Sequence, residues 1–234
     1  MAKAQATSSG VIPGVRRAMI LAAGKGTRLR PLTLERPKPM LPLAGKPLIQ
    51  HQIEALAAAG IEEVVINLHY LGDQISAHLG TGATYGLRIT YSEEDELLET
   101  GGGIVHALPL LGDQPFLLLN GDIWTDFAFS ALPSPLPSPG LAHLVLTPTP
   151  GYRAHGDFNF ADGRITARGE DYVYCGMAVL HPELFKDHIT THFSLRDIYF
   201  DLIERQALTA QIHTGQWHDI GTVEQYEELA NQIA

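Results

Sequence analysis

The sequence predicts an α/β protein in which helices flank a mixed, mostly parallel central sheet. Short apolar runs, typical of buried strands, recur along the first half of the chain, and segments with helical spacing of apolar residues separate them. Strands that alternate with helices form βαβ units, and such units build parallel sheets. A length of 234 residues fits one large domain of this class.

Four buried strands and three helices are predicted in the first half of the chain. The strands are short apolar runs, and they span residues 18–23, 64–68, 87–91 and 116–119. The helices carry apolar residues three or four positions apart and a glycine follows each of them; they span residues 47–59, 73–79 and 103–111. In sheets of this kind, ligands bind beyond the carboxyl ends of the strands.

The second half is predicted to be richer in β-structure. Four prolines at alternate positions exclude a helix or a central strand over residues 132–140, which we therefore expect to be a surface connector. Ser194 is expected to cap a helix, and Thr222 with Gln225 forms a capping box for the last helix. Further strands are predicted at residues 141–146, 157–160, 173–180 and near 211–217.

The overall composition excludes several classes of protein. Sixteen basic and 26 acidic side chains give a net charge of −10, which argues against nucleic-acid binding. No apolar stretch is long enough for a transmembrane helix, so we expect no membrane partner. The single cysteine, Cys175, excludes an intrachain disulfide and suits a cytoplasmic location. Residues 1–16 are expected to be a disordered extension or a cloning remnant, ahead of a catalytic domain over residues 17–234.

The charges are distributed unevenly along the chain. Residues 1–46 hold nine basic side chains and one acidic side chain, whereas the rest of the chain holds seven basic and 25 acidic ones. An asymmetry of this size predicts a local anion site on an otherwise acidic body.

The segment Leu21-Ala-Ala-Gly-Lys-Gly-Thr-Arg28 is the first candidate for that site. It is not a P-loop, because Gly26 separates the lysine from the threonine, and Leu29 stands where a dinucleotide-binding fingerprint needs its third glycine. What remains is a strand, a glycine turn and the nearby cations Arg28 and Lys38, a combination that can receive a triphosphate. The alternative is a tight turn with solvated charges.

Two aspartates, Asp122 and Asp219, each follow a predicted strand. Mg²⁺ commonly binds one or two carboxylates together with substrate phosphates, so the two aspartates could share one metal ion. The alternative for each is that it caps the following turn.

Three consecutive glycines, Gly101 to Gly103, are predicted to precede a helix and to let a flat ligand lie against the backbone. The alternative is a flexible loop. The acidic run at residues 93–96 is predicted to be a solvated face.

No nucleophile or zinc site is predicted. The eleven histidines form no recognisable zinc set, and His213 and His218 are expected to face opposite sides of one strand. Cys175 lies in an apolar strand and is expected to be a small buried side chain.

Together these segments resemble the sugar-phosphate nucleotidyltransferase family. The resemblance runs from about residue 17 to the end of the chain, and its motifs are L-A-A-G-x-G-T-R at 21–28, P-K at 37–38, G-D at 121–122 and W-x-D-I-G-T at 217–222. It implies a single Rossmann-like domain with the nucleotide-diphospho-sugar transferase fold. It also implies an enzyme that joins a nucleoside triphosphate to a sugar 1-phosphate and releases pyrophosphate.

Within the family, the residues at 98–104, 120–126 and 156–158 resemble a uridylyltransferase subgroup of bacterial cell-wall sugar recycling. This implies UTP and a sugar 1-phosphate as substrates, with Mg²⁺ as cofactor, in a monomer or weak homo-oligomer. Alternatives are mannose 1-phosphate with GTP, glucose 1-phosphate with TTP, or a non-catalytic nucleotide-sugar sensor on the same fold.

The resemblance implies a role for each motif residue. The residues expected to hold the nucleotide are Leu21, Ala22, Ala23 and Gly24, with Gly101 and Gly102 beside the base. Those expected to wrap the β- and γ-phosphates are Gly26, Thr27 and Arg28. Lys38 is expected to contact the phosphate under attack, and Asp122 and Asp219 to bind Mg²⁺. The expected catalytic residues are thus Arg28, Lys38, Asp122 and Asp219, and the expected sugar-binding residues are Asn120, Gly156 and Glu170.

The chain departs from the family pattern at one position. Thymidylyl-transferring relatives carry an E-K-P motif where this chain has Glu170-Asp-Tyr172, so the lysine that would hold the sugar phosphate is absent. Arg168 is the substitute that the sequence offers.

Overall fold

The computed structural model describes residues 14–138 and 140–233. Its strands are β1 (Arg17–Leu21), β2 (Pro42–Leu43), β3 (Lys46–Pro47), β4 (Glu63–Leu68), β5 (Arg88–Glu93), β6 (Phe116–Asn120), β7 (Ile123–Thr125), β8 (Ala142–Pro148), β9 (Phe158–Ala161), β10 (Arg164–Arg168), β11 (Tyr172–Leu180), β12 (Leu208–Ile212) and β13 (Trp217–Asp219). Its α-helices are α1 (Leu48–Ala58), α2 (Gly72–Leu79), α3 (Glu99–Leu111), α4 (Leu195–Glu204) and α5 (Val223–Gln232).

Nine strands form one mixed sheet, in the order β5-β4-β1-β6-β11-β8-β12-β10-β9. The strands from the first half, β5, β4, β1 and β6, are all parallel. From β11 onward the neighbours are antiparallel, except that β8 and β12 run in parallel. The predicted α/β class with a mixed sheet is confirmed, and its parallel part is the part built from βαβ units.

Alternate side chains of the central strands bury into two different cores, because successive residues of a strand point to opposite faces of a sheet. Ile20 of β1 packs with α1 and α2, whereas its neighbour Met19 packs with α3 and α4 on the other face. Both side chains are fully buried. Helices therefore cover both faces, which explains why the sequence of β1 is a continuous apolar run.

Helix α3 begins at Glu99, four residues earlier than predicted, so the three glycines lie inside the helix rather than before it. A Cβ atom on Gly101 would lie 2.3 Å from the ring of Phe193, and one on Gly102 would lie 2.0 Å from the carbonyl oxygen of Thr191. The glycines therefore permit close packing of segment 191–193 against the first turn of the helix.

The strand predicted near residues 211–217 is in fact two strands in different sheets. β12 ends at Ile212, and β13 pairs with β7 in a separate two-stranded ribbon. The chain turns between them, where Asp126 accepts a hydrogen bond from the backbone of Gln216. His213 and His218 consequently do not share a strand, and the prediction that they face opposite sides of one is wrong. Of the two strands in the β9–β10 hairpin, the sequence predicts only β9, because β10 carries no clear apolar run.

The described structure includes the last residues of the predicted N-terminal extension. Val15 is buried in the core, and the backbone carbonyl of Arg16 accepts a hydrogen bond from Glu62 at 2.9 Å, so packing already includes residues 15 and 16. The rest of the predicted extension, residues 1–13, lies outside the described residues. Residues 132–138 form neither helix nor strand, as predicted for the connector. None of the described helices is both long and apolar enough to cross a membrane.

Candidate active site

The carboxyl ends of β1 and β6 lie side by side, with Leu21 paired in register with Asn120. The glycine loop leaves β1 at this edge, and Gly121-Asp122 leaves β6. The backbone N–H of Gly121 donates to the carbonyl of Leu21 at 2.9 Å, and a Cβ at Gly121 would lie 2.6 Å from that carbonyl oxygen. Only glycine allows this approach, which sets Asp122 beside the glycine loop.

A cavity of about 370 Å³ opens at this edge of the sheet. The predicted nucleotide, phosphate and metal residues that line it are Leu21, Ala22, Ala23, Gly24, Gly26, Thr27, Arg28, Lys38 and Asp122. Asn120, predicted to bind the sugar, also lines this cavity. Among the described residues, Gly101 and Gly102 are not part of the lining, although their neighbours Glu99 and Thr100 are. A contact of the two glycines with the base stays a prediction.

The glycine loop is held in shape by its own residues. Gly26 has a φ of +59°, which an L-residue rarely adopts, and a Cβ there would crowd Thr33 and the Lys38 side chain. The hydroxyl of Thr33 donates to the carbonyl of Gly26 at 2.8 Å. A small apolar cluster that includes Leu29, Leu41 and Leu229 of α5 anchors both ends of the segment carrying Lys38. The loop and the lysine are thus fixed relative to each other.

Asn67 and Glu94 form a buried support beneath the loop that sequence reasoning missed. Asn67 Oδ1 accepts from the backbone N–H of Ala22 at 2.8 Å, and Asn67 Nδ2 donates to Glu94 Oε1 at 2.7 Å. Glu94 Oε2 accepts from the backbone N–H of Leu98 at 3.1 Å. The prediction of a solvated acidic face is therefore wrong for Glu94, which is buried, and right for the other members of the run. Both residues lie at the ends of parallel strands, a position that could have drawn attention to them.

Lys38 and Asp122 form an ion pair in the cavity, with Nζ 2.6 Å from Oδ2. The lysine side chain is only 10% exposed, so its ammonium group is largely removed from water.

Asp219 lies next to Asp122, because β13 pairs with β7 and the backbone N–H of Ile220 donates to the carbonyl of Asp122 at 3.0 Å. Burial and the nearby charge of Asp122 raise the pKa of Asp219, while Lys38, Arg153 and Arg28 oppose that rise.

The paired aspartates fit a divalent cation. Two carboxylates that repel each other in a partly buried site gain free energy from a cation between them, and hard oxygen ligands suit Mg²⁺. In the part of the chain that the structure describes, no group of three or more His, Cys, Asp or Glu side chains could hold a metal ion. Mg²⁺ at this site would therefore need further ligands from substrate phosphates or water, as is usual for this ion.

A second cavity, of about 590 Å³, contains the other two predicted sugar residues, Gly156 and Glu170. A Cβ on Gly156 would lie 2.6 Å from the carbonyl oxygen of Glu170, so a glycine is needed where these two segments meet. The exposed carboxylate of Glu170 lies 3.0 Å from His155 Nδ1. Tyr174 contributes to the wall of this cavity.

Three arginines, Arg153, Arg168 and Arg196, line this second cavity. They are three of only seven basic residues after residue 46, in a region with 25 acidic ones. The Arg168 guanidinium lies 4.4 Å from the centroid of the Phe200 ring. Among the described residues, neither Arg168 nor Arg196 makes an ion pair. Sequence reasoning named Arg168 alone; the scarcity of basic residues after residue 46 was the feature that could have drawn attention to the other two.

The prediction that Cys175 is a small buried side chain is confirmed. The side chain is fully buried in β11, and burial raises the pKa of its thiol far above the ordinary range. Its backbone carbonyl accepts a hydrogen bond from the indole of Trp217 at 2.8 Å. The thiol thus packs as a small apolar side chain within the core.

Comparison with known proteins identifies the family. The family model described as nucleotidyl transferase matches residues 17–135, which include the glycine loop, Lys38 and Asp122. The chain belongs to the nucleotidyl transferase family. The family predicted from the motifs is thereby confirmed, and with it the prediction that the protein is a nucleotidyltransferase enzyme.

Two relatives of this nucleotidyl transferase are similar over almost their whole length. The N-acetylmuramate α-1-phosphate uridylyltransferase of Neisseria meningitidis serogroup B is 43% identical over 216 residues, covering 88% of this chain and 94% of the relative. The protein of the same name from Caulobacter vibrioides is 40% identical over 220 residues, covering 87% of this chain and 91% of the relative.

The structure of HddC from Yersinia pseudotuberculosis has the same fold. It matches with a TM-score of 0.77 at 22% identity, covering 94% of this chain and 100% of that chain. The predicted nucleotidyltransferase fold is confirmed.

Proposed function

We propose that this nucleotidyl transferase moves the uridylyl group of UTP to N-acetylmuramic acid α-1-phosphate in a Mg²⁺-dependent reaction. The products are UDP-N-acetylmuramic acid and pyrophosphate. The main support is that two relatives of this name, at 43% and 40% identity, align with the chain over nearly their full length. The reaction would serve recycling of cell-wall sugar in the cytoplasm, where UTP is made, with the protein acting as a monomer or weak homo-oligomer.

The charge of the second cavity supports an acidic sugar. N-acetylmuramic acid 1-phosphate carries two anionic groups, a phosphate and a lactyl carboxylate, whereas mannose 1-phosphate and glucose 1-phosphate carry the phosphate only. Three guanidinium groups line this cavity on a protein whose formal net charge is −10. The planar guanidinium fork can donate two parallel hydrogen bonds to a carboxylate or to two oxygens of a phosphate. These three arginines outnumber the two carboxylates of the same lining, Asp157 and Glu170, so the cavity keeps a positive charge that suits a sugar with two anionic groups.

The chemistry requires positioning and charge stabilisation rather than a base. A phosphate oxygen of the sugar 1-phosphate attacks the α-phosphorus of UTP in line; a new P–O bond forms, the bond from the α-phosphorus to the bridging oxygen breaks, and pyrophosphate leaves. The attacking phosphate is already ionised at neutral pH, so no side chain needs to take a proton. Arg28 and Lys38 stabilise the charge that develops on the phosphates. Asp122 and Asp219 would hold Mg²⁺, which when bound neutralises phosphate charge.

A substrate matrix tests this proposal. Four nucleoside triphosphates are combined with the 1-phosphates of N-acetylmuramic acid, N-acetylglucosamine, mannose and glucose, and pyrophosphate release is measured with Mg²⁺ and with EDTA. The highest kcat/KM is expected for UTP with N-acetylmuramic acid 1-phosphate, and none in EDTA. A preference for GTP with mannose 1-phosphate or TTP with glucose 1-phosphate would contradict the proposed substrate. Tight nucleotide-sugar binding without pyrophosphate release would indicate a sensor.

A further inference from the structure

We propose that Arg153 is the residue that binds the phosphate group of the sugar 1-phosphate. The inference rests on the proposed function only in taking a sugar 1-phosphate as substrate, and it does not depend on which sugar that is. It answers a question that the sequence leaves open, since residues 170–172 carry no lysine that could hold this phosphate.

The sugar phosphate must lie between the two cavities. With the sugar in the cavity that Gly156 and Glu170 line, as the family resemblance implies, the attacking oxygen must reach the α-phosphate beside Asp122, which lines the first cavity. A cation that anchors the phosphate therefore has to contact both regions. Arg153 does so, since it lines the second cavity and its Nη2 lies 3.7 Å from Asp219 Oδ2.

The guanidinium group of Arg153 also has N–H donors that are available to bind a substrate. Its second nitrogen, Nη1, lies 3.8 Å from Asp157 Oδ2. Both separations are longer than the 2.7–2.9 Å typical of a charge-assisted hydrogen bond, so the two carboxylates hold the group in place loosely. A phosphate with two or three oxygens within reach would form shorter bonds than either carboxylate does. The side chain is 34% exposed and can therefore be approached from the cavity.

The other two arginines of the cavity are less suited to this role. The Arg168 guanidinium stacks on Phe200 at 4.4 Å from the ring centroid, and the Nε of Arg196 lies 3.5 Å from the hydroxyl of Ser194, which caps α4. Neither forms an ion pair with Asp122 or Asp219 in the described part of the chain. They remain available for the other anionic group of an acidic sugar.

The contribution of the phosphate to binding is a direct test. Binding of N-acetylmuramic acid α-1-phosphate and of unphosphorylated N-acetylmuramic acid is measured by calorimetry, without nucleotide, in the whole protein and its Arg153→Gln variant. The Kd of the unphosphorylated sugar divided by the Kd of the sugar 1-phosphate reports how much the phosphate contributes to binding. Loss of a charged hydrogen-bonding partner should lower that ratio about 10-fold to 100-fold. KM for the sugar 1-phosphate should rise similarly, while Kd for UTP changes less than about twofold.

Three further variants complete the design. Arg153→Lys keeps the positive charge but loses the two-pronged guanidinium donor, so the ratio of Kd values should fall less than in Arg153→Gln. Arg168→Gln should leave the ratio unchanged, and so should Arg205→Gln, whose arginine is exposed and pairs with Asp201 on α4. An unchanged ratio in both Arg153 variants, or a collapse of the ratio in Arg168→Gln, would overturn the proposal.

The proposed function and this inference can fail separately. If the substrate matrix favours another sugar 1-phosphate, the proposed substrate is wrong, and the ratio is measured with that compound and its unphosphorylated sugar. A loss of the ratio in Arg153→Gln would then still support Arg153 as the anchor.

Discussion

The ammonium group of Lys38 lies 2.6 Å from a carboxylate oxygen of Asp122, although the two residues are 84 positions apart in the sequence. The pair joins the expected phosphate-binding cation to an expected Mg²⁺ ligand. In the absence of substrate, each group compensates the charge of the other in a poorly solvated cavity. When substrate binds, a phosphate can compensate the charge of Lys38 and a divalent cation that of Asp122. The ion pair therefore lowers the free-energy cost of holding both charges in the cavity before substrate binds.

Lys38→Ala is expected to lower kcat about 100-fold, because the lysine should stabilise charge that develops only in the transition state. KM for UTP should change little. Steady-state kinetics at saturating Mg²⁺ checks this, with Lys186→Ala as control because that lysine is exposed and pairs only with Glu183 among the described residues. A rise in KM at constant kcat would mean that Lys38 binds substrate and transition state equally.

Asp219→Asn is expected to abolish turnover and at the same time raise Tm at neutral pH. Because its pKa is raised, Asp219 binds a proton more tightly in the folded protein than in the unfolded chain. That contribution to stability is present below the ordinary aspartate pKa and is lost as pH rises through the folded-state pKa. At pH 7.5 without Mg²⁺ the carboxylate therefore costs stability, and its removal should raise Tm by about 2 °C.

The pH and metal dependence of Tm check the Asp219 prediction. The gain in Tm should vanish below about pH 4, where the wild-type carboxyl is protonated. Mg²⁺ should raise Tm of the wild type more than that of the variant. A variant that is less stable than the wild type at pH 7.5 in EDTA would show that the attraction of Arg153 and Lys38 outweighs the repulsion.

Gly102→Ala is expected to destabilise the protein by about 1 to 3 kcal/mol, because its Cβ would overlap the Thr191 carbonyl and force a backbone shift. Urea unfolding measures the change. Gly151→Ala is the matched control, since a Cβ at that glycine meets nothing within 4 Å and its backbone is not in the left-handed region. If Gly102→Ala kept its stability but bound UTP more weakly, the glycine would serve to contact the uracil base, as the family resemblance implies.

Arg168→Gln and Arg196→Gln are expected to reduce discrimination between two sugars. N-acetylmuramic acid 1-phosphate and N-acetylglucosamine 1-phosphate differ only in the lactyl ether, so the ratio of their kcat/KM values reports recognition of the carboxylate. Loss of one charged partner should lower that ratio about 10-fold. Arg205→Gln serves again as the control. Unchanged ratios in both single variants and in the double variant would place recognition of the carboxylate elsewhere.

The sequence by itself determined the local elements and the positions where chemistry could occur. The apolar run of β1 and the glycine that follows it, Gly24, were sufficient to predict a strand that leads into a loop; phosphate binding by Arg28 in that loop stays a prediction. The capping box of α5 was likewise readable, and Thr222 and Gln225 form it as predicted. Such features depend on backbone preference and side-chain polarity within a few neighbouring residues, which the sequence displays directly.

Only the tertiary structure decided which of these positions meet. The separate β7–β13 ribbon brings Asp219 beside Asp122, and the packing of segment 191–193 draws the glycines into α3. Burial of Glu94 depends on Asn67, 27 positions away, and Arg153 lies between the carboxylates of Asp157 and Asp219. A polar side chain is buried only where a partner satisfies it, and the identity of that partner depends on strand order and register, which short-range sequence patterns do not contain.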